Sequence, residues 1–162
     1  YYRNTVWYTF KNEDDCMKIS TKGRYALRVM VDLAEHREEG RIPLRQIAVR
    51  QDISEKYLEN ILSTLVRHGM LSGLRGKGGG YCLTREPEEF TLGEILRLTE
   101  GSLSPVSCLS GPHNTCERAA TCRTVRVWTE LDRMIEEYLD GVTIADLMCE
   151  DVLAKGKGPQ QA

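Results

Sequence analysis

Residues 54–83 read SEKYLENILSTLVRHGMLSGLRGKGGGYCL, and two kinds of periodicity meet in them. Tyr57, Leu58, Ile61, Leu62, Leu65 and Val66 recur at helical spacing, so one face is apolar while Glu55, Lys56, Glu59, Asn60, Ser63 and Arg67 occupy the other. Ser54 suits an N-cap, because its hydroxyl can accept a bond from an otherwise unpaired amide, and Gly69 suits the stop. Two strand-like runs follow, 70–75 and 81–84. Between them Gly76-Lys77-Gly78-Gly79-Gly80 can turn with positive φ and let backbone approach another surface closely.

A core helix followed by an ordinary hairpin would look the same in isolation. Residues 42–51, IPLRQIAVRQ, change the reading: Leu44, Ile47 and Ala48 fall on one helical face, and Asp52-Ile53-Ser54 makes a tight connection to the next helix. Helix, turn, helix, hairpin is the order a DNA-reading module needs. The second helix can enter a major groove about 12 Å wide while the hairpin reaches the neighbouring backbone. The expected fold is mostly α with a small β-wing: a winged helix-turn-helix plus a long dimerisation helix.

Charge is segregated along the chain. The whole carries a net −2, but residues 17–85 hold 13 Lys+Arg against 7 Asp+Glu, and residues 86–162 hold 7 against 14. A basic half joined to an acidic half fits a nucleic-acid module followed by a dimerising or sensing part, although surface charge can also segregate by chance. No apolar run approaches the roughly 18 residues of a helical membrane span, so a cytoplasmic chain with no membrane partner is expected. In that setting six cysteines read as metal ligands or redox thiols rather than a disulfide framework.

Four segments follow. Residues 1–16 have no clear register and read as a disordered upstream extension, and 17–90 as the DNA-binding domain. Residues 91–153 read as a cysteine loop with dimerisation helices, and 154–162 as a polar tail. Within 17–39, Ala26, Val29, Met30, Leu33 and Ala34 form a core stripe, and Lys18, Lys22, Arg24 and Arg28 crowd the helix start as phosphate contacts or as a solvated face. Residues 91–99 open on a capping-box pattern, Thr91-Leu92-Gly93-Glu94, and Gly101 and Pro105 end that helix. Over 124–140, Val127, Trp128, Leu131, Met134, Ile135, Tyr138 and Leu139 make a stripe longer than a small core needs, which suits a twin helix in a homodimer; packing within one chain is the alternative. Thr143-Ile144-Ala145-Asp146 caps a last helix expected to reach about Leu153.

Cys108, Cys116 and Cys122 stand as C-x7-C-x5-C in a polar loop. Several thiolates from one flexible loop suit an iron–sulfur cluster. Zinc would accept the same set with His113, but the paired C-x2-C knuckles usual for zinc are absent. Redox-active thiols and incidental buried cysteines are the remaining readings. Cys82, in the second wing strand, reads as core packing, Cys149 lies in the last helix, and Cys16 falls in the extension. A catalytic reading, with Cys116 or Cys122 as nucleophile and His113 as base, has nothing else behind it: no glycine-rich nucleotide loop sits between strand and helix, and no paired carboxylates in a cleft can be inferred.

MKISTKGRYAL at 17–27, IPLRQIA at 42–48, ISEKYLEN at 53–60 and LRGKGGGY at 74–81 give the chain a dense resemblance to the Rrf-two family of bacterial winged-helix regulators, in its branch of iron–sulfur cluster regulators. The likeness covers about 17–153. It implies a homodimeric repressor on double-stranded DNA with a palindromic operator, sensing iron–sulfur or redox status. By position, Glu59 matches a glutamate that interrogates bases, Ser54 and Tyr57 match helix-start residues against the DNA, Lys56 reaches a phosphate, and Arg75 enters the minor groove. Lys22, Asn60, Lys77, Gly78 and Gly79 complete the DNA-binding set. Cys108, Cys116 and Cys122 match the cluster ligands, with 2Fe-2S expected first and 4Fe-4S second. The fourth ligand departs from the family: the position of its histidine is Val125, and that of an acidic residue in the first helix is Arg24. Other members of the family control cysteine metabolism through a partner protein without a cluster, which is the alternative for this chain.

Overall fold

The computed structural model describes residues 19–111, 113–114 and 116–149, in the order α1 (Thr21–Glu35), α2 (Leu44–Gln51), α3 (Glu55–Arg67), β1 (Leu71–Leu74), β2 (Gly80–Leu83), α4 (Leu92–Glu100), α5 (Val125–Asp140) and α6 (Ile144–Leu147). Met17, Lys18, the 1–16 extension with Cys16, and the 154–162 tail lie outside the described residues.

The helix-turn-helix forms as its sequence dictates. Asp52 takes a left-handed φ of 53° and turns the chain out of α2, and the Ser54 hydroxyl accepts the Tyr57 amide at 3.4 Å to start α3. Leu58, Ile61, Leu62 and Leu65 are fully buried from α3, each worth about 1.5–3 kcal/mol of transfer free energy. They pack with Ala26, Val29, Met30 and Leu33 of α1 and Ile47 of α2 in one core. Asp32, 1% exposed, sits at the α1–α2 seam, where the Arg50 guanidinium donates to both its oxygens at 2.8 and 2.7 Å and Gln51 Nε2 adds a third bond at 2.9 Å.

The wing is an antiparallel pair with Leu71 opposite Leu83 and Leu74 opposite Gly80. A third segment joins it. Ile42 and Tyr81 exchange both backbone bonds at 2.9 Å, so the chain entering α2 is fastened to the wing. Gly80 makes this approach possible, since a Cβ there would lie 2.5 Å from the Ile42 carbonyl carbon.

Several boundaries differ from the sequence reading. The first helix begins at Thr21, capped by the Ser20 hydroxyl, and ends at Glu35; His36 leaves helical geometry and a 3-10 turn occupies Arg37–Glu39. Only half of the Thr91 capping box forms, because the Glu94 carboxylate pairs with Arg85 at 2.8 Å instead of reaching back. Cys82 is half-buried rather than a core residue. The last helix stops at Leu147, where the Met148 amide turns back to the Ala145 and Asp146 carbonyls; residues 150–153 lie outside the described residues.

α4 and α5 run antiparallel. Arg97 pairs with both Glu136 and Asp140, and Leu92, Leu96, Leu103 and Leu139 form a second apolar cluster between the two helices. α6 returns to the main core, where Ile144 is wholly buried and its amide donates to the Phe90 carbonyl at 2.9 Å. On the far side of α5, Val127, Leu131, Met134 and Tyr138 are 62, 38, 55 and 52% exposed.

Candidate nucleic-acid interface and cysteine loop

The polar face of α3 and the wing enclose a cleft of about 470 Å³. Lys56, Glu59, Asn60 and Ser63 line one wall, and Arg75 and Tyr81 belong to the other. Helical spacing sets the first wall: positions 56, 59, 60 and 63 share a face because the buried set takes 58, 61, 62 and 65. The side chains of Lys56, Glu59, Asn60, Arg75 and Lys77 are exposed, and among the described residues none has a hydrogen-bond or ion-pair partner. Three arginines of the scaffold are engaged. Arg28 donates to Gln51 and lies over the Tyr25 ring, Arg41 holds Ser72 of β1, and Arg50 holds Asp32. A wall of free donors and acceptors over a packed scaffold is suited to reading base edges, and the cations beside it to holding phosphates.

The sequence-expected residues fall unevenly on this site. Ser54 is exposed but its hydroxyl is occupied in capping α3. Tyr57 is half-buried and packs edge-on against Tyr25, ring centroids 5.9 Å apart, so its ring belongs to the α1–α3 seam. Lys22 lies in the first turn of α1, half-buried. Lys77 and Gly78 form the exposed wing tip, Gly78 with a φ of 76°. Gly79 shapes the turn: its amide donates to Gly76 at 2.9 Å, and a Cβ would lie 2.8 Å from that carbonyl. Arg28 is exposed, but its guanidinium is engaged with Gln51 rather than free for a phosphate. Ser63 and Tyr81 line the cleft without having been singled out; the i+4 spacing of Ser63 from Glu59 was the available signal.

Cys108 stands in the 3-10 turn Ser107–Leu109, half-buried, and Cys116 is exposed with its amide donating to Asn114 Oδ1 at 2.9 Å. Cys122 follows the turn Ala119–Thr121, its Sγ 3.4 Å from the Thr124 hydroxyl. That hydroxyl, with the Thr124 and Val125 amides, draws the Cys122 thiol below its ordinary value. All three thiols are free. The donor types suit an iron–sulfur cluster. Their placement in the single chain does not gather one: among the described residues no three His, Cys, Asp or Glu side chains stand close enough to hold a metal ion.

A winged helix-turn-helix with an unpartnered recognition face defines a DNA-binding regulator. The family model of Rrf2, described as an iron-dependent transcriptional regulator, matches residues 19–150, and the chain belongs to that family of transcriptional regulators, which are not enzymes. The transcriptional regulator IscR of Aliivibrio salmonicida is 36% identical over 135 residues, 83% of this chain and 79% of the relative. CymR of Bacillus subtilis is 39% identical over 131 residues, 81% of this chain and 89% of the relative. Among solved structures, that of CymR, described as the global cysteine regulator of B. subtilis, superposes with a TM-score of 0.67 over 82% of this chain and 96% of the other. IscR of T. potens, 36% identical, gives 0.64 over 90% and 94%. Among the described residues no helix is long and apolar enough to cross a membrane.

Proposed function

We propose that the chain acts as a homodimeric repressor that binds a palindromic operator through α3 and the wing, with the cysteine loop as its sensing element. The cleft between Glu59, Asn60 and Arg75 carries the DNA-binding half of this reading, since its polar side chains have no work inside the fold. Glu59 accepts from a cytosine amino group, Asn60 pairs with an adjacent adenine, and Arg75 enters the minor groove. α5 joins two copies, so that the paired recognition helices meet half-sites about one helical turn, roughly 34 Å, apart. The test is affinity for a duplex selected by the protein from a randomised library. Arg75→Ala should weaken it by about 1–3 kcal/mol, and unchanged affinity would exclude the wing from the interface.

The loop's chemistry has two readings. Iron–sulfur loading is favoured by three free thiols in a polar loop and by the family's iron dependence. A cluster-free regulator answering to thiol oxidation or a partner protein is favoured by the kinship with CymR and by the dispersed ligands. Iron and acid-labile sulfide measured per chain, on protein prepared without oxygen, separate them. About two of each supports 2Fe-2S and about four the cubane, whereas none after anaerobic reconstitution supports the thiol or partner reading.

A further inference from the structure

The cleft between α3 and the wing has an inner end that Glu59, Asn60 and Arg75 leave unused. α3 passes into β1 through the turn at Gly69, where the Met70 amide donates to the Leu65 carbonyl at 3.0 Å, so the two walls converge on Val66 and Gly73. Gly73 stands opposite Tyr81 in the hairpin, and residues so paired share one face of the sheet. A Cβ on Gly73 would meet the Tyr81 ring at 3.1 Å and Val66 at 3.6 Å. That face is therefore turned toward α3, and the Tyr81 ring covers Gly73 inside the cleft. The backbone holds the ring there, since Tyr81 exchanges both of its bonds with Ile42 at 2.9 Å on one side and pairs with Gly73 on the other.

Two hydroxyls end at this place with nothing to bond. The Tyr81 side chain is half-buried, yet among the described residues its hydroxyl has no hydrogen-bond partner. Ser63 faces it from the α3 wall, exposed and equally unpartnered. A hydroxyl within a helix can turn back onto the carbonyl four residues earlier, as Thr64 does onto Asn60 at 3.1 Å, but Ser63 makes no such bond. An apolar ring with a fixed backbone and a free polar tip is suited to meeting a polar atom of a ligand. Lys56 and Arg75 against Glu59 leave the cleft positive, so that ligand atom is an anionic one.

The DNA-binding reading determines which anion. With α3 in the major groove and Arg75 in the minor groove beside it, the protein straddles the sugar–phosphate strand that separates the two, and this strand passes between helix and wing. What it presents is phosphate, whose oxygens accept from serine and tyrosine hydroxyls as they do from cations. We propose that the Tyr81 and Ser63 hydroxyls donate to phosphates of the strand that separates the two grooves. This rests on the DNA-binding reading given above and extends it. The two contacts set how deep α3 sits in the major groove, and being neutral and distant from the bases they add affinity without reading sequence or displacing counterions.

The test uses the full chain, the library-selected duplex, and Tyr81→Phe, which keeps the ring and its packing, with Ser63→Ala and the double variant. Each single variant should bind about tenfold more weakly per half-site, the worth of one hydrogen bond to a charged group. The loss should be the same on duplexes with one base pair changed, and the slope of log affinity against log salt should stay at its wild-type value. Duplexes with an uncharged methylphosphonate at one position of this strand at a time should include one on which Tyr81→Phe loses nothing further, a coupling that a purely structural tyrosine would not show. Unchanged affinity in the double variant overturns the proposal, as does a Tyr81→Phe loss that is equal at every methylphosphonate position. An altered base preference overturns it too, by assigning the hydroxyl to a base edge. If wild type binds duplex and Arg75→Ala weakens it while both hydroxyl variants behave as wild type, only this contact fails. If wild type binds no duplex, the DNA-binding reading fails with it.

Discussion

Asp32 shows how one buried carboxylate can set the geometry of a reading head. It fixes the end of α2, through Arg50 and Gln51, against the last turn of α1, and so sets the angle at which the turn delivers α3. Burial by itself pushes the Asp32 carboxyl up, but the bonds from Arg50 and Gln51 and the Arg50 charge outweigh it and hold the group below the ordinary carboxylate range. A depressed folded value means that stability from this pair is complete above the unfolded value near 3.9 and is lost as pH falls through the folded one. The urea midpoint of the wild-type chain should therefore drop below about pH 4. Asp32→Asn should flatten this acid limb and, by replacing the charge-assisted bonds from a solvent-reached Arg50 with neutral ones, cost about 1–3 kcal/mol at neutral pH. A variant with wild-type stability at pH 7 would show that the pair only decorates the seam.

At the scale of elements, the wing is where local sequence and tertiary pairing divide the labour. Tyr81 and Gly80 hold the segment before α2 against β2, so a single backbone bridge ties the reading helices to the hairpin. Gly80→Ala would put a methyl group against the Ile42 backbone, which cannot swing aside as a side chain can. Overpacking of this kind costs about 1–3 kcal/mol. The chemical-denaturation midpoint should fall accordingly, and the Ile42 and Tyr81 amides should lose hydrogen-exchange protection; retained protection would mean the bridge tolerates a side chain. This bridge was not legible in the sequence, because Ile42-Pro43 is too short to carry strand periodicity and its partner is 39 residues away. α3 was legible almost to the residue, since its apolar stripe, serine cap and glycine stop all agree. The Thr91 box was half legible: Glu94 had the right spacing, but Arg85, nine residues earlier, offered a charged partner that local pattern does not reveal. Of the expected DNA-contacting residues, those on the outer face of α3 follow from periodicity. The contacts of Tyr57 with Tyr25 and of Arg28 with Gln51 depend on how the folded core sets α1, α2 and α3 against one another.

For the whole molecule, α5 presents two faces, one packed on α4 and one open to solvent. Ile135, Leu139, Glu136 and Asp140 face α4, where the apolar pair joins a small cluster and the acidic pair meets Arg97. Val127, Leu131, Met134 and Tyr138 repeat at intervals of four, three and four residues and stay open to solvent. That is the spacing at which two helices interdigitate, and four large apolar side chains on one exposed stripe are a poor surface for a lone chain. In the dimer reading the stripe has a second function. Each reading head alone holds one half-site, and joining two makes the second binding event intramolecular, which can raise affinity about 100-fold or more without a new contact. Leu131→Glu with Met134→Glu should therefore give monomers by sedimentation equilibrium, leave the helical circular-dichroism signal intact, and cut affinity for a two-half-site duplex by about 100-fold while leaving affinity for a single half-site nearly unchanged. Because the α4 face is untouched, loss of the helical signal would instead reveal a stripe needed within one chain. A persistent dimer with full affinity would place the joint elsewhere, and the recognition helices would have to be spaced by another surface.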